Sequence, residues 1–427
     1  MRNLYLLVIG NSVSTLGSSV YLIVVVLLLK DLTDSGVLLG LYQFLALLPA
    51  ALLLPVTGAL VDRLSRRAIV IGADLFRGAV MIGLSLLWIF PELVSPLPLL
   101  LVSFLVGAGN ALFVPAVQAL IPELVPSERL EQANGLRGTT NQLSNLAGNA
   151  VGGVAYALLS APVIFLANGL SFLLSAAQEW AIELPGEKER EAHPGAERAG
   201  LLGATGQEVP ESIARTDDRL PSGGPPNLLN ASREGILLVS GNPPLRRLIL
   251  SQVGLFLISP PVLLSLPFLV EDRLGQPEWL VGVLFAAMLG GAVVAFLLTS
   301  RRSAVRRSRI APAYALMGLA LLSVPLLPSL ATLFLAASAA GAAAGVVYIE
   351  VASYLQRLFP RGMHGRLFAT IEAGNAILAP TAYLLSGVLI DLLTPRVELT
   401  YLVAALPTLL WAFWLWRSAG ATPPPET

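Results

Sequence analysis

Apolar and polar positions alternate along this chain in long blocks. Twelve apolar runs, each near the length a bilayer demands, are separated by short polar punctuation: 4–29, 36–61, 68–90, 97–120, 137–159, 162–182, 247–270, 279–299, 310–327, 329–353, 367–391 and 397–417. A helix needs about 20 predominantly apolar residues to cross the hydrocarbon core of a membrane. The pattern therefore predicts an all-α integral membrane protein with twelve spanning helices. Composition agrees: 55% of residues are hydrophobic and 13% charged, where a soluble domain carries about 25% charged residues. The first run, 4–29, is too long for the core of a cleavable signal and has no small-residue cleavage site after it.

The placement of charge tests the count. Lys30, Arg273 and Arg396 are the basic residues of the odd-to-even connections, and Arg77 lies inside the third run. The other lysines and arginines lie at Arg2, in 62–67, 121–137, 183–247, 300–309 and 354–366, and at Arg417. Lys and Arg concentrate in cytoplasmic loops. An even number of spans with both termini cytosolic in a plasma membrane produces this split, and a wrong count would scramble it. Lys+Arg and Asp+Glu are equal at 27 each, so no basic excess points to nucleic acid. With no cysteine and with His193 and His364 both in expected loops, disulfides, thiolate chemistry and an imidazole metal site are excluded or disfavoured. No cofactor is expected.

Residues 183–246 differ in kind. They are rich in Pro, Gly, Glu and Arg, mix charges of both signs and lack aromatics. This is the composition of a solvated, partly disordered linker, in which 228–239 could form a short surface helix. The domain expectation is a six-helix bundle over 1–182, a linker over 183–246, a second bundle over 247–417 and a tail over 418–427. A shift of about 234 residues superposes Val125-Pro126 on Phe359-Pro360, Arg67 on Arg301 and Gly153 on Gly387, so the halves read as parallel repeats about an axis normal to the membrane.

The turn after the second run carries the most chemistry. Gly58-Ala-Leu-Val-Asp62-Arg63-Leu-Ser-Arg66-Arg67 packs one acid and three arginines into six residues. Topology explains Arg63, Arg66 and Arg67; it does not explain Gly58 and Asp62 at this spacing. The turn resembles the signature of the major facilitator superfamily, Gly-x-x-x-Asp-Arg-x-x-Arg-Arg/Lys. The resemblance implies a latch that holds the cytosolic side shut and releases as the halves rock. Asp74 and Arg77, three residues apart and so on one helix face, are expected to add a gating or structural pair, since charges in lipid must pair or face water.

Phe113-Val-Pro115-Ala, Ile121-Pro122-Glu123-Leu-Val125-Pro126 and Asn242-Pro-Pro-Leu-Arg246 narrow the resemblance to the drug-exporter branch with the macrolide efflux and enterobactin exporters. The fifth run, with Gly135, Ser144, Gly148, Asn149, Gly152 and Gly153, is similar to the antiporter motif Gly-x8-Gly-x3-Gly-Pro-x2-Gly, with Ser144 for a glycine and Asn149 for the proline. Small residues at this spacing allow close helix approach; without the proline, any kink is left to the glycines.

Asn141, Asn145 and Asn149 lie one turn apart. With Asn11 and Thr15 on the first run and Gln43 on the second, they either bond neighbouring helices or line a wet substrate path. Several relatives carry an acid where Ser18 stands. Glu350 and Glu372 are taken as the other acids inside apolar runs: proton carriers, or partners of loop arginines such as Arg357, Arg361 or Arg366. The function expected is a monomeric secondary exporter of amphiphilic small molecules driven by protons. The alternative is a lysophospholipid flippase of the same fold. A membrane enzyme lacks its catalytic constellation, and no nucleotide-binding loop is present.

Overall fold

A computed structural model describes residues 2–88, 90–126, 129–183, 243–300, 309–358 and 361–419. The expected linker helix at 228–239 and most of the 300–309 loop lie outside them. The described residues form twelve long helices: α1 (Arg2–Thr33), α2 (Gly36–Arg63), α3 (Arg66–Leu87), α4 (Pro96–Leu124), α5 (Leu130–Leu158), α6 (Ala161–Trp180), α7 (Pro243–Phe268), α8 (Trp279–Ser300), α9 (Ile310–Leu326), α10 (Leu330–Leu358), α11 (Arg361–Leu393) and α12 (Leu399–Ala419). Ten have the length and apolarity to cross a membrane. Of the other two, α9 is 17 residues long, and α5 is diluted by its asparagines, threonines and glycines.

Two corrections concern boundaries. α5 starts at Leu130 and α11 at Arg361, each about two turns before the apolar pattern begins. Polar first turns of a helix project beyond the hydrocarbon, so hydropathy does not see them. α5 runs unbroken from Leu130 to Leu158.

Each half is a six-helix bundle. Within the first, α1 packs on α5 and α6, and α3 on α4 and α6; within the second, α7 packs on α11 and α12, and α9 on α10 and α12. The halves meet chiefly along two seams, α2 against α11 and α5 against α8. An offset of six helices turns one seam into the other, as the repeat predicts. Many large apolar side chains face outward, including Leu97, Leu158, Leu335 and Leu392, each more than 70% exposed. On a chain of spanning helices this is the lipid-facing surface. Trp180 and Trp416 stand exposed near helix ends, where amphipathic rings favour the membrane interface.

Because the helices alternate in direction, one face carries both termini and the arginine-rich connections. It is called the terminal face below, and the opposite one the far face.

Candidate functional site: two gates and a polar interior

The far face is where the halves are bonded together. Lys30, near the end of α1, is almost fully buried, and its Nζ lies 2.6 Å from Glu271 and 2.6 Å from Asp272 on the π-helical turn Leu269–Arg273 that ends α7. Asp34 adds a longer contact at 3.7 Å. A lysine with few water neighbours but two carboxylates makes strong charge-assisted bonds. On the second seam, Asp391 of α11 caps the start of α2 from the other half: its Oδ1 accepts from the Gly36 amide at 2.5 Å, and its Oδ2 from the Val37 amide and the Ser35 hydroxyl at 3.1 Å each. A carboxylate at a helix N-terminus satisfies orphan amides and meets the positive end of the dipole.

Glycines bring the backbones together just inside these bonds. A Cβ on Gly282 would lie 2.6 Å from the Asn149 carbonyl oxygen, and one on Gly153 would collide with the Trp279 carbonyl. The α2–α11 seam repeats the device with Gly40, whose Cβ would sit 2.6 Å from the Tyr383 carbonyl, and with Gly387 against Gly36.

Lys30→Met is expected to favour opening at the far face. It removes two charge-assisted bonds, each worth about 1.5–3 kcal/mol, while Glu271 and Asp272 stay partly hydrated. The check is labelling of a single cysteine at Thr15, in a chain that has none of its own, by an impermeant maleimide from the far-face side. Beside the lysine, Asp31, Glu271 and Glu278 bring carboxylate oxygens within 4.8 Å of one another. Burial, then the neighbouring Asp31 and Glu271 charges, push the Glu278 carboxyl above its ordinary value. A group whose affinity for protons is higher when the gate is shut favours the shut state at low pH and loses that contribution as pH rises through its raised pKa. Acidic medium on this face should therefore slow labelling at residue 15, and Glu278→Gln should weaken the dependence.

At the terminal face the described polar contacts lie within a half. The α2–α3 turn is two residues long, with Ser65 capping α3 through the Ala68 amide at 3.4 Å. Arg66 pairs with Glu123 at the end of α4 and donates to the Ala119 carbonyl at 3.4 Å. Arg67 donates to the carbonyls of Glu179 (3.4 Å) and Trp180 at the end of α6. Cations at helix C-termini are favourably placed; the two arginines staple the turn to two neighbouring helix ends. Arg63 is exposed. The surroundings of Gly58 and the side chain of Asp62 lie outside what the structure describes, although both positions fall in α2.

Behind the turn, Asp74 and Arg77 form the expected ion pair, both almost completely buried. Arg77 also bonds Asn110 and is held between the rings of Phe113 (4.1 Å) and Phe172 (4.5 Å). Gly109 makes room for its stem, since a Cβ there would sit 2.6 Å from Arg77 Cγ. Fully buried beside the pair is an acid the sequence reading passed over, Glu179, which accepts from Ser175 at 3.3 Å. It lies within the expected sixth run, 162–182, but so close to the end that it reads as an interfacial charge. The signal was available in the sequence: Ser175 and Glu179 stand one helical turn apart.

Between the gates, the α1–α5 seam is polar. Asn11 donates to the Asn141 side chain at 3.3 Å, Ser19 to Asn145 at 2.7 Å, and Thr15 to Asn11 at 3.5 Å. Asn149 is buried with an unpartnered Oδ1, and Gln43 on α2 is partly buried. The amides of Asn141 and Asn145 thus hold helices together. Of the antiporter-like positions, Gly148 and Gly152 face α1, Gly153 faces α8 and Ser144 is buried. Gly135 has open space around it and packs against nothing, because it lies in the projecting first turns of α5.

Glu350 is ion-paired, as one alternative held, and a partner is Arg309 at the start of α9, at 2.9 Å; the side chains of Arg357, Arg361 and Arg366 lie outside the described residues. The Glu372 side chain lies outside the described residues.

Comparison with known proteins fixes the family. A family model described as Major Facilitator Superfamily matches residues 7–332, and the chain belongs to that superfamily. It is 28% identical over 176 residues to macrolide efflux protein A of Streptococcus pyogenes, covering 41% of this chain and 43% of that protein. The chain thus spans under half of the length of that relative. It is 25% identical to the MFS-type transporter YfiS of Bacillus subtilis, over 94% of this chain and 89% of the other. Among solved structures, a bacterial homologue of the iron transporter ferroportin in an inward-facing state gives a TM-score of 0.66 at 18% identity, covering 99% of both chains. A D-xylose–proton symporter gives 0.67 at 14% identity over 97% of this chain and 96% of that one. These likenesses show the fold. The family and the ten long apolar helices among the described residues make this a multi-pass membrane protein.

Proposed function

We propose that this protein is a proton-driven exporter of amphiphilic small molecules, working as a monomer in the cytoplasmic membrane with both termini cytosolic. The observation that carries this reading is the asymmetry between the gates. Lys30 and Asp391 bond the halves at the far face and the paired glycines bring them together there, whereas the contacts described for the arginine turn lie inside one half. Under the charge placement of the loops the far face is external. Such a conformation is shut to the outside and suited to receiving cargo from the cytosol or inner leaflet. Rocking about the two glycine seams would then break the outer bonds and engage the turn, with Asp62 and Arg63, as the inner latch. Moving one elementary charge across 100 mV is worth about 2.3 kcal/mol, so a proton or two per cycle drives useful accumulation.

Macrolide efflux protein A supports a macrolide as the first probe. Expression in an efflux-deficient bacterium should lower accumulation of labelled erythromycin, and a protonophore should restore it. Unchanged accumulation across a panel of amphiphilic drugs, with passage of labelled lysolipid in proteoliposomes lacking a pH gradient, would replace this reading with a lipid flippase.

A further inference from the structure

Asp74, Arg77 and Glu179 form an unbalanced cluster. Two carboxyl groups and one guanidinium are closed off from solvent between α3, α4 and α6: Asp74 and Glu179 are each 0% exposed and Arg77 4%. Ionised throughout, the cluster carries one uncompensated negative charge inside the protein, which is costly unless it is paired. The bonding is unbalanced in the same way. Arg77 serves one oxygen of Asp74, and Ser175 serves Oε1 of Glu179. Asp74 Oδ2 and Glu179 Oε2 are both buried without a donor, on helices α3 and α6 that pack together, and each carboxyl acts electrostatically on the other. A single proton corrects both faults. As an O–H on one carboxyl it donates to the other, and it brings the cluster to neutrality.

Among the described residues no charged group other than these three is bonded into the cluster. On α3, Arg66 is turned to Glu123 of α4, and Arg67 gives its bonds to backbone carbonyls of α6. α4 offers Asn110, which accepts from Arg77. α1, which packs on α6, has no charged residue between Arg2 and Lys30. In the second half, by comparison, the buried acid Glu350 has a cation beside it, Arg309.

We propose that Asp74 and Glu179 share one exchangeable proton and are the proton-binding site of the transport cycle. The residue identities are new to the exporter reading above, and the coupling rests on it. The site is also linked to the gate. Arg67 of the signature turn holds the carbonyl of Glu179 itself at 3.4 Å, so a shift of the turn moves the end of α6 and opens the pair to water. The proton then leaves to solvent as hydronium, and both carboxylates stay behind, ionised and hydrated. Refilling from the other side restores the neutral cluster.

The test uses the full-length protein in liposomes. Infrared spectra at neutral pH should show a protonated carboxyl whose carbonyl band shifts in D2O. The band should be lost in Glu179→Gln and in Asp74→Asn, because either substitution leaves one acid facing Arg77. With erythromycin as probe, uptake driven by a pH gradient should fall in Glu179→Gln to the level of empty liposomes, while counterflow exchange survives. Absence of the band in the wild type, its persistence in both variants, or normal gradient-driven uptake by Glu179→Gln would overturn the assignment. If the wild type does not move erythromycin at all, the macrolide reading fails, and the infrared arm still decides whether the pair holds a proton.

Discussion

Gly387→Val is expected to stop transport and to leave the protein open at its far face. Gly387 sits on α11 where that helix crosses α2. A Cβ there would run into the carbonyl of Gly36 and come within 3.1 Å of the Gly40 Cα. These are backbone atoms of a helix start already fixed by Asp391, so neither side can yield by changing a rotamer. Overpacking of this kind costs about 1–3 kcal/mol. The molecule has a way to escape it without unfolding, because separating the two halves removes the clash altogether. A penalty of about 1–3 kcal/mol in one state shifts a two-state balance by roughly 5–150-fold. The cysteine-free sequence makes the shift readable: a single cysteine at Thr15 should label faster from outside cells in the Gly387→Val background than in the parent, and Gly387→Ala should lie between. Gly153→Val, on the symmetric seam, should act in the same direction. Protein that is correctly inserted yet labels as slowly as the parent would show that this seam does not gate the outer side.

The elements at issue were unequally legible in the sequence. The spans could be read because lipid demands long apolar runs, and the parity of the basic loops supports counting α5 and α9 among them, the first diluted by polar residues and the second only 17 residues long. The arginine turn could be read from its own spacing and the Asp74–Arg77 pair because its members are three residues apart; the Glu123 and Glu179 acceptors of Arg66 and Arg67, 57 and 112 positions away, could not. The outer gate could not. Lys30 meets Glu271 across 241 positions and Asp391 meets the α2 start across 355; in the chain each looks like a stray charge beside a turn. Hydropathy carries no information on which turn faces which. The halves had to be placed before the acids of the far face could be seen as the partners of its buried lysine. Glu350 illustrates the same limit in small. That it would be paired followed from its depth in α10; that the partner would be Arg309 depended on how α9 packs on α10. Glycines at 40, 153, 282 and 387 belong to this class too. Small-residue spacing announces close packing, and only the assembled bundle says that Gly148 and Gly152 serve the interior of one half while Gly153 serves the joint between halves.

Arg77→Leu should be the most damaging single change to stability. Among the described residues the guanidinium is the one cation bonded to Asp74, and it also holds Asn110 and the two rings of Phe113 and Phe172. Removing one member of a buried pair costs about 3–5 kcal/mol, because the survivor is left charged and dry, and the lost cation–π contacts add about 2 kcal/mol in a desolvated site. Loss on this scale should appear as poor yield and an early thermal transition of the detergent-purified protein. Arg77→Lys should be milder, since the charge remains while the planar fit between two rings and the second bond do not. The informative variant is the double one. If the damage comes from the orphaned acid, Asp74→Asn combined with Arg77→Leu should recover part of the stability lost by Arg77→Leu alone, a non-additivity expected of groups in one network. If instead the double variant is as unstable as the sum of the singles, Arg77 matters through its packing against Phe113 and Phe172. The charge balance from which the shared proton was inferred would then lose its footing. The same pair of residues thus joins the stability of the first bundle to its proposed coupling chemistry. The arginine that makes Asp74 tolerable inside the protein is also the one that, being single, leaves Glu179 in need of a proton.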